Sequence, residues 1–111
     1  MIFRHLKQKF RRHFTDEHGK PILGTWIDDR YEAVLLDADS GKVLAFVSQD
    51  GDDEYYAIVY VSPLRALHLS WYNDGFLVSL LPLPRCAVKL LTLGSMETAK
   101  SYAELALQGR L

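Results

Sequence analysis

The chain has one cysteine, Cys86. It can close no internal disulfide, which points to a reducing, cytoplasmic setting over that of a disulfide-stapled secreted domain. It has no apolar run near the ~20 residues a membrane helix needs. The first residues interleave bases with apolar side chains, and neither a separate apolar stretch nor a small-residue cleavage site follows, so a signal peptide is not expected. GxGxxG and Walker loops are missing, and with them the usual signatures of nucleotide binding. Of the four histidines, His5 and His13 fall within one amphipathic stretch and His18 and His68 elsewhere. None makes the i, i+4 pair that a metal site on a helix uses. Neither Ser70 nor Cys86 sits in a sharp nucleophile turn, and Cys86 reads as a small buried hydrophobe. The expectation is therefore no catalytic residue, no cofactor and no metal.

What is present is an ordinary globular composition. The 111 residues are 49% hydrophobic and 24% charged. That suffices for one domain spanning 1–111 with its own core. The formal net charge of −1 hides an asymmetry. Arg4, Lys7, Lys9, Arg11 and Arg12 precede any acid, so the other 8 of the 13 bases face all 14 acids. A basic start is joined to an acidic body.

Phe3, Leu6, Phe10 and Phe14 recur at helical spacing, which predicts an amphipathic helix over 2–14 with its bases on the other faces. Gly19 and Pro21 end it. From Ile22 to Thr92 the pattern is β, with strands near 22–27, 31–37, 42–48, 55–61, 65–72, 76–81 and 86–92. Asp37-Ala38-Asp39-Ser40-Gly41, Asp50-Gly51 and Asn73-Asp74-Gly75 supply turn residues. Pro63, Pro82 and Pro84 mark the other connections. Alternation is cleanest over 65–72, where Leu67, Leu69 and Trp71 oppose Ala66, His68, Ser70 and Tyr72. Both faces of 43–47 are apolar, and helices, sheet curvature or a second subunit would have to cover them. Ser95 reads as the N-cap of a closing helix, with Glu97 in its first turn, an inward stripe of Ala99, Tyr102, Ala103 and Ala106, and Gly109 to stop it.

The closing segment Leu93-Gly94-Ser95-Met96-Glu97-Thr98-Ala99-Lys100-Ser101-Tyr102-Ala103-Glu104 resembles the last helix of small orphan proteins carried by phages, plasmids and integron cassettes. These run as a β-meander, a glycine, a small cap and a helix with Ala-Lys and Ala-Glu. The motif covers about a tenth of the chain. The resemblance implies an accessory or host-interaction role and carries over no functional residue.

Four sets of residues are candidate sites. Tyr56, Tyr60, Trp71, Tyr72 and Phe76 are a dense aromatic group suited to anchoring a protein partner. Asp52, Asp53 and Glu54 lie in an acidic turn that would share one end of a meander with Asp28, Asp29, Asp50 and Asp74, and could steer a basic partner. Arg4, Lys7, Arg11 and Arg12 could contact nucleic-acid phosphates, although a pI near 6.4 is low for such a domain. His68, Ser70 and Tyr72 could ring a small-molecule pocket in the sheet. The reading is α+β: a curved antiparallel sheet of five to seven strands flanked by an N-terminal and a C-terminal helix. The function it favours is a non-catalytic protein-interaction module that forms a homodimer. Nucleic-acid binding and small-molecule binding are the alternatives.

Overall fold

The computed structural model describes residues 8–52, 54–72, 75–79 and 85–111. They form, in chain order, β1 (Gln8–Thr15), β2 (Pro21–Asp28), β3 (Glu32–Asp37), β4 (Val43–Gln49), β5 (Glu54–Val61), α1 (Pro63–Tyr72), β6 (Gly75–Ser79), β7 (Cys86–Leu93) and α2 (Met96–Leu107). The seven strands make one sheet in the order β1-β2-β3-β4-β5-β7-β6. Every neighbouring pair is antiparallel. The chain is α+β, as the sequence predicts, and within the described residues no helix is long and apolar enough to cross a membrane.

Two expected elements are corrected. The helix predicted over 2–14 is, from residue 8 onward, the edge strand β1; residues 1–7, with Arg4 and Lys7, lie outside the described residues. Phe10 and Phe14 lie on one face in either conformation, because a spacing of four fits a period of two as well as a helical turn. Pairing with β2, from Gln8 opposite Asp28 to Thr15 opposite Pro21, settles the choice. The strand predicted over 65–72 is the helix α1. Its stretch contains no β-branched residue, and Pro63 takes the first helical turn, where its missing N–H is no loss. Ser62 precedes it, accepting the Ala66 N–H on its carbonyl at 2.9 Å and the Arg65 N–H on its hydroxyl at 3.4 Å. Ala66 and Leu69 face the core, while Leu64, Leu67 and Trp71 point outward. The chain therefore leaves the meander after β5, passes through α1 and lays β6 at the far edge. β7 then returns between them.

The register explains the burial. Trp26 pairs with Leu35, Leu35 with Ala45, Ala45 with Val59 and Val59 with Val88. All five are buried and lie in the core. α2 packs over β4, β5 and β7, and α1 over β6 and β7, so both helices cover that one face. Ser95 caps α2 by accepting the Thr98 N–H on its side chain, and Ala99, Ala103 and Ala106 let the helix lie close to the strands. Tyr102, expected inward, is 40% exposed; Lys100 and Glu104 are buried in its place. Those two charges find partners on β1 and β2, and this sets how the helix is turned about its axis.

Candidate interaction surface

On the opposite face the register builds a second row. Ile27 pairs with Val34, Val34 with Phe46, Phe46 with Ile58 and Ile58 with Lys89. These side chains are half-buried, and none belongs to the core cluster. One row toward the β2–β3 turn lie Glu32, Ser48, Tyr56 and Leu91; one row the other way lie Arg11, Thr25, Leu36, Val43 and Tyr60. Leu91 and Val43 are exposed. Among the described residues no element packs on this face. The two-sided apolar character of 43–47 read from sequence is thus covered on one side only.

Cations border the aromatic side chains of the face. The Lys89 ammonium lies 4.5 Å from the centre of the Tyr56 ring, and the Arg85 guanidinium 5.4 Å from that of Tyr60. Arg85 also donates to the main-chain oxygens of Val43 and Tyr60, both at 3.0 Å, and so ties the ends of β4 and β5 together. Burial pulls its guanidinium below the ordinary value, with Tyr60 opposing. Such contacts keep a charge beside an apolar surface at modest desolvation.

The predicted sites separate on this frame. Tyr56 and Tyr60 share the open face, whereas Trp71, 74% exposed, lies on α1 beyond the helix-covered face. The side chains of Tyr72 and Phe76 lie outside the described set; in the ladder Phe76 pairs with Lys89. Asp52 and Glu54 are exposed in the β4–β5 turn and at the start of β5, at the same end of the sheet as Asp29 and Glu32, and Asp53 and Asp74 lie outside the described residues. Asp28, also at that end, turns to the helix side instead. His68, Ser70 and Tyr72 do not line a sheet pocket, because they stand on α1. His68 Nε2 is 3.2 Å from the main-chain oxygen of Leu111, and Ser70 donates to the Leu67 carbonyl at 3.0 Å. Arg11 is exposed on the open face, while Arg12 projects to the other side and is held there.

What holds Arg12 is a polar cluster that sequence reading did not find. Glu104 of α2 accepts from Arg12 Nε at 3.1 Å and Nη2 at 3.0 Å, and from the buried Trp26 indole N–H at 2.7 Å. That bond and charge hold the Arg12 guanidinium above its ordinary value. One turn earlier, Lys100 donates to Asp28 at 2.7 Å and lies 5.1 Å from the Phe10 ring centre and 5.2 Å from that of Trp26. Asp28 Oδ1 is buried with no protein partner. An open cleft of about 320 Å³ lies over the cluster, lined by Phe10, Arg12, Trp26, Glu97, Lys100, Ser101 and Glu104. Its cations already face carboxylates of this chain, so the arrangement fastens α2 to the edge hairpin. The sequence signal for it is the i, i+4 pair Lys100 and Glu104, both on the Ala99–Ala103 side of the helix. Among the described residues no group of three His, Cys, Asp or Glu is placed to hold a metal ion.

No family model, curated protein or solved structure matches this chain.

Proposed function

We propose that this protein is a non-catalytic interaction module that self-associates through the open face of its sheet. The observation that carries the reading is the row Ile27–Val34–Phe46–Ile58, which crosses four strands with no helix of the described chain above it. Contiguous apolar surface of this kind on a small domain marks a contact with another macromolecule. Tyr56 and Tyr60 add large side chains with polar tips at its border, the composition typical of interface anchors. Seven strands ~4.8 Å apart and roughly 25 Å long give the face about 800 Å², the usual share of one partner in a stable complex. The acidic end, with Asp52 and Glu54, would orient the encounter.

The two other readings have less support. Arg12 is committed to Glu104, and Arg11 stands on the open face beside Thr25 and Leu36 rather than within a basic track. His68, Ser70 and Tyr72 share one short helix and bound no enclosed cavity among the described residues.

Light scattering on wild type and on Phe46→Lys tests the proposal. Phe46 is outside the core, so the variant keeps its fold by circular dichroism. A dimer that dissociates at least about tenfold more readily in the variant supports the reading. A wild type monomeric at high micromolar concentration refutes it.

A further inference from the structure

The open face is acidic at one end and of mixed charge at the other, and this limits how a second copy can sit on it. At the end holding the β2–β3 and β4–β5 turns stand Asp29, Glu32, Asp50, Asp52 and Glu54, with Arg30 as the one described base of those turns. Toward the other end the face carries Arg11 and Arg85, and the turns there hold Lys20 and Lys42 beside Asp16, Glu17, Asp37 and Asp39. Two sheets packed face to face under twofold symmetry have two limiting arrangements. With the axis along the strands, each acidic end lies over the other's acidic end. With the axis across the strands, each acidic end lies over the other's mixed end, where Arg11 and Arg85 stand on the face. Like charges brought together repel, so the second arrangement is selected.

The register makes that arrangement specific. An axis along the row Ile27–Val34–Phe46–Ile58 places positions equally far on either side of the row opposite each other. Glu54 lies four residues before Ile58 on β5. Arg85 precedes Cys86, which pairs with Val61, so Arg85 stands level with Ser62, four residues beyond Ile58. Glu32 lies two residues before Val34, and Arg11 stands level with Leu36, two residues beyond it and two strands to the side, a distance that long charged side chains can span in part. Phe46 stands on the axis and meets its own copy. Lys89 also stands on the row, but its ammonium leans onto Tyr56, one row nearer the acidic end, which keeps the two ammoniums apart.

We infer that the partner on the open face is a second copy of this chain, related by a twofold axis across the strands, with Glu32 of each copy level with Arg11 of the other and Glu54 level with Arg85. The inference rests on the self-association proposed above and names its geometry.

Charge exchange between exposed positions tests it. Arg11→Glu and Glu32→Arg each weaken the dimer severalfold at low salt, as read by sedimentation equilibrium, and the double variant recovers part of the loss. Glu54→Arg weakens it without rescue by Arg11→Glu, since its counterpart is Arg85. High salt shrinks all these differences. A dimer that breaks in Phe46→Lys yet ignores the exchanges overturns the arrangement and leaves the self-association reading standing. A double variant weaker than both single variants also overturns it. A monomeric wild type overturns both.

Discussion

Glu104 is where the stability of the helix-to-sheet contact is most concentrated, and Glu104→Ala measures it. The carboxylate accepts from an indole N–H on a side chain that is 1% exposed, at 2.7 Å. Removing the acceptor leaves that donor buried and unpaired, which costs about 1–3 kcal/mol. The Arg12 pair contributes less, because the arginine side chain is 54% exposed and regains water; about 0–1 kcal/mol is the range for such pairs. The total is about 1–4 kcal/mol, a large fraction of the roughly 5–15 kcal/mol that holds a domain together. Glu104→Gln keeps a carbonyl oxygen for the indole and gives up the charge, so about 1 kcal/mol is expected. Urea unfolding followed by circular dichroism reads both, with slopes unchanged if the denatured state is unaltered. A cycle with Trp26→Phe isolates the indole bond. If Glu104→Ala lies within about 0.5 kcal/mol of wild type, or matches Glu104→Gln, the indole bond is not what secures the helix.

Two further perturbations follow from the turns. Asp37 accepts the main-chain N–H groups of Ser40 and Asp39, at 3.1 and 2.8 Å, which holds its carboxyl below the ordinary range with Lys20 and Lys42 assisting. A carboxyl lowered by folding stabilises the native state above its unfolded value of about 3.9, and that contribution fades as pH falls through the lower native value. Asp37→Asn should therefore lose less stability than wild type between about pH 4 and pH 2, read from urea midpoints at each pH. Gly109 has φ of 75°, and a Cβ there would stand 2.7 Å from Glu17 Cβ and 3.2 Å from Glu17 Cα. Gly41 has the same φ with nothing within 4 Å. Gly41→Ala should cost about 1–2 kcal/mol from the left-handed backbone alone. Gly109→Ala should exceed it in thermal unfolding by about 1 kcal/mol or more, because helix end and turn must move apart.

Most of the strand pattern is legible in the sequence because its determinants are local. The apolar runs around Trp26, Val34, Ala45 and Val59 are bounded by Asp-Gly and Asp-Ser-Gly turns, and the ladders form where those turns direct them. The errors fall where two periods fit the same residues. Leu67, Leu69 and Trp71 alternate with polar neighbours as a strand would, yet Ser62-Pro63 is a helix start and α1 follows from it. Phe10 and Phe14 suit helix and strand alike, and only the ladder with β2 separates the two. The Glu104 cluster escapes the sequence for another reason. It joins Arg12, Trp26 and Glu104 across 92 and 78 positions, so nothing short of the fold brings them together. The open face is legible in part: the apolar residues on both sides of 43–47 require two covers, and the described chain provides one.

The strand order has a consequence for how the chain is made. β1 to β5 are joined by short turns and pair in the order in which they leave the ribosome. β5 then remains an open edge, because its next neighbour is β7 and not the segment that follows it. α1 and β6 emerge with each other as company, and they gain the sheet only when β7 slots between β5 and β6. α2, which covers Ala45 and Val59, is translated after all seven strands. For much of synthesis the meander therefore has bare apolar side chains on both faces and an unpaired edge, the condition in which nascent chains aggregate or bind chaperones. A chain stalled before β7 should be the most chaperone-dependent form of this protein. Release of the last helix closes one face, and the other stays available for assembly.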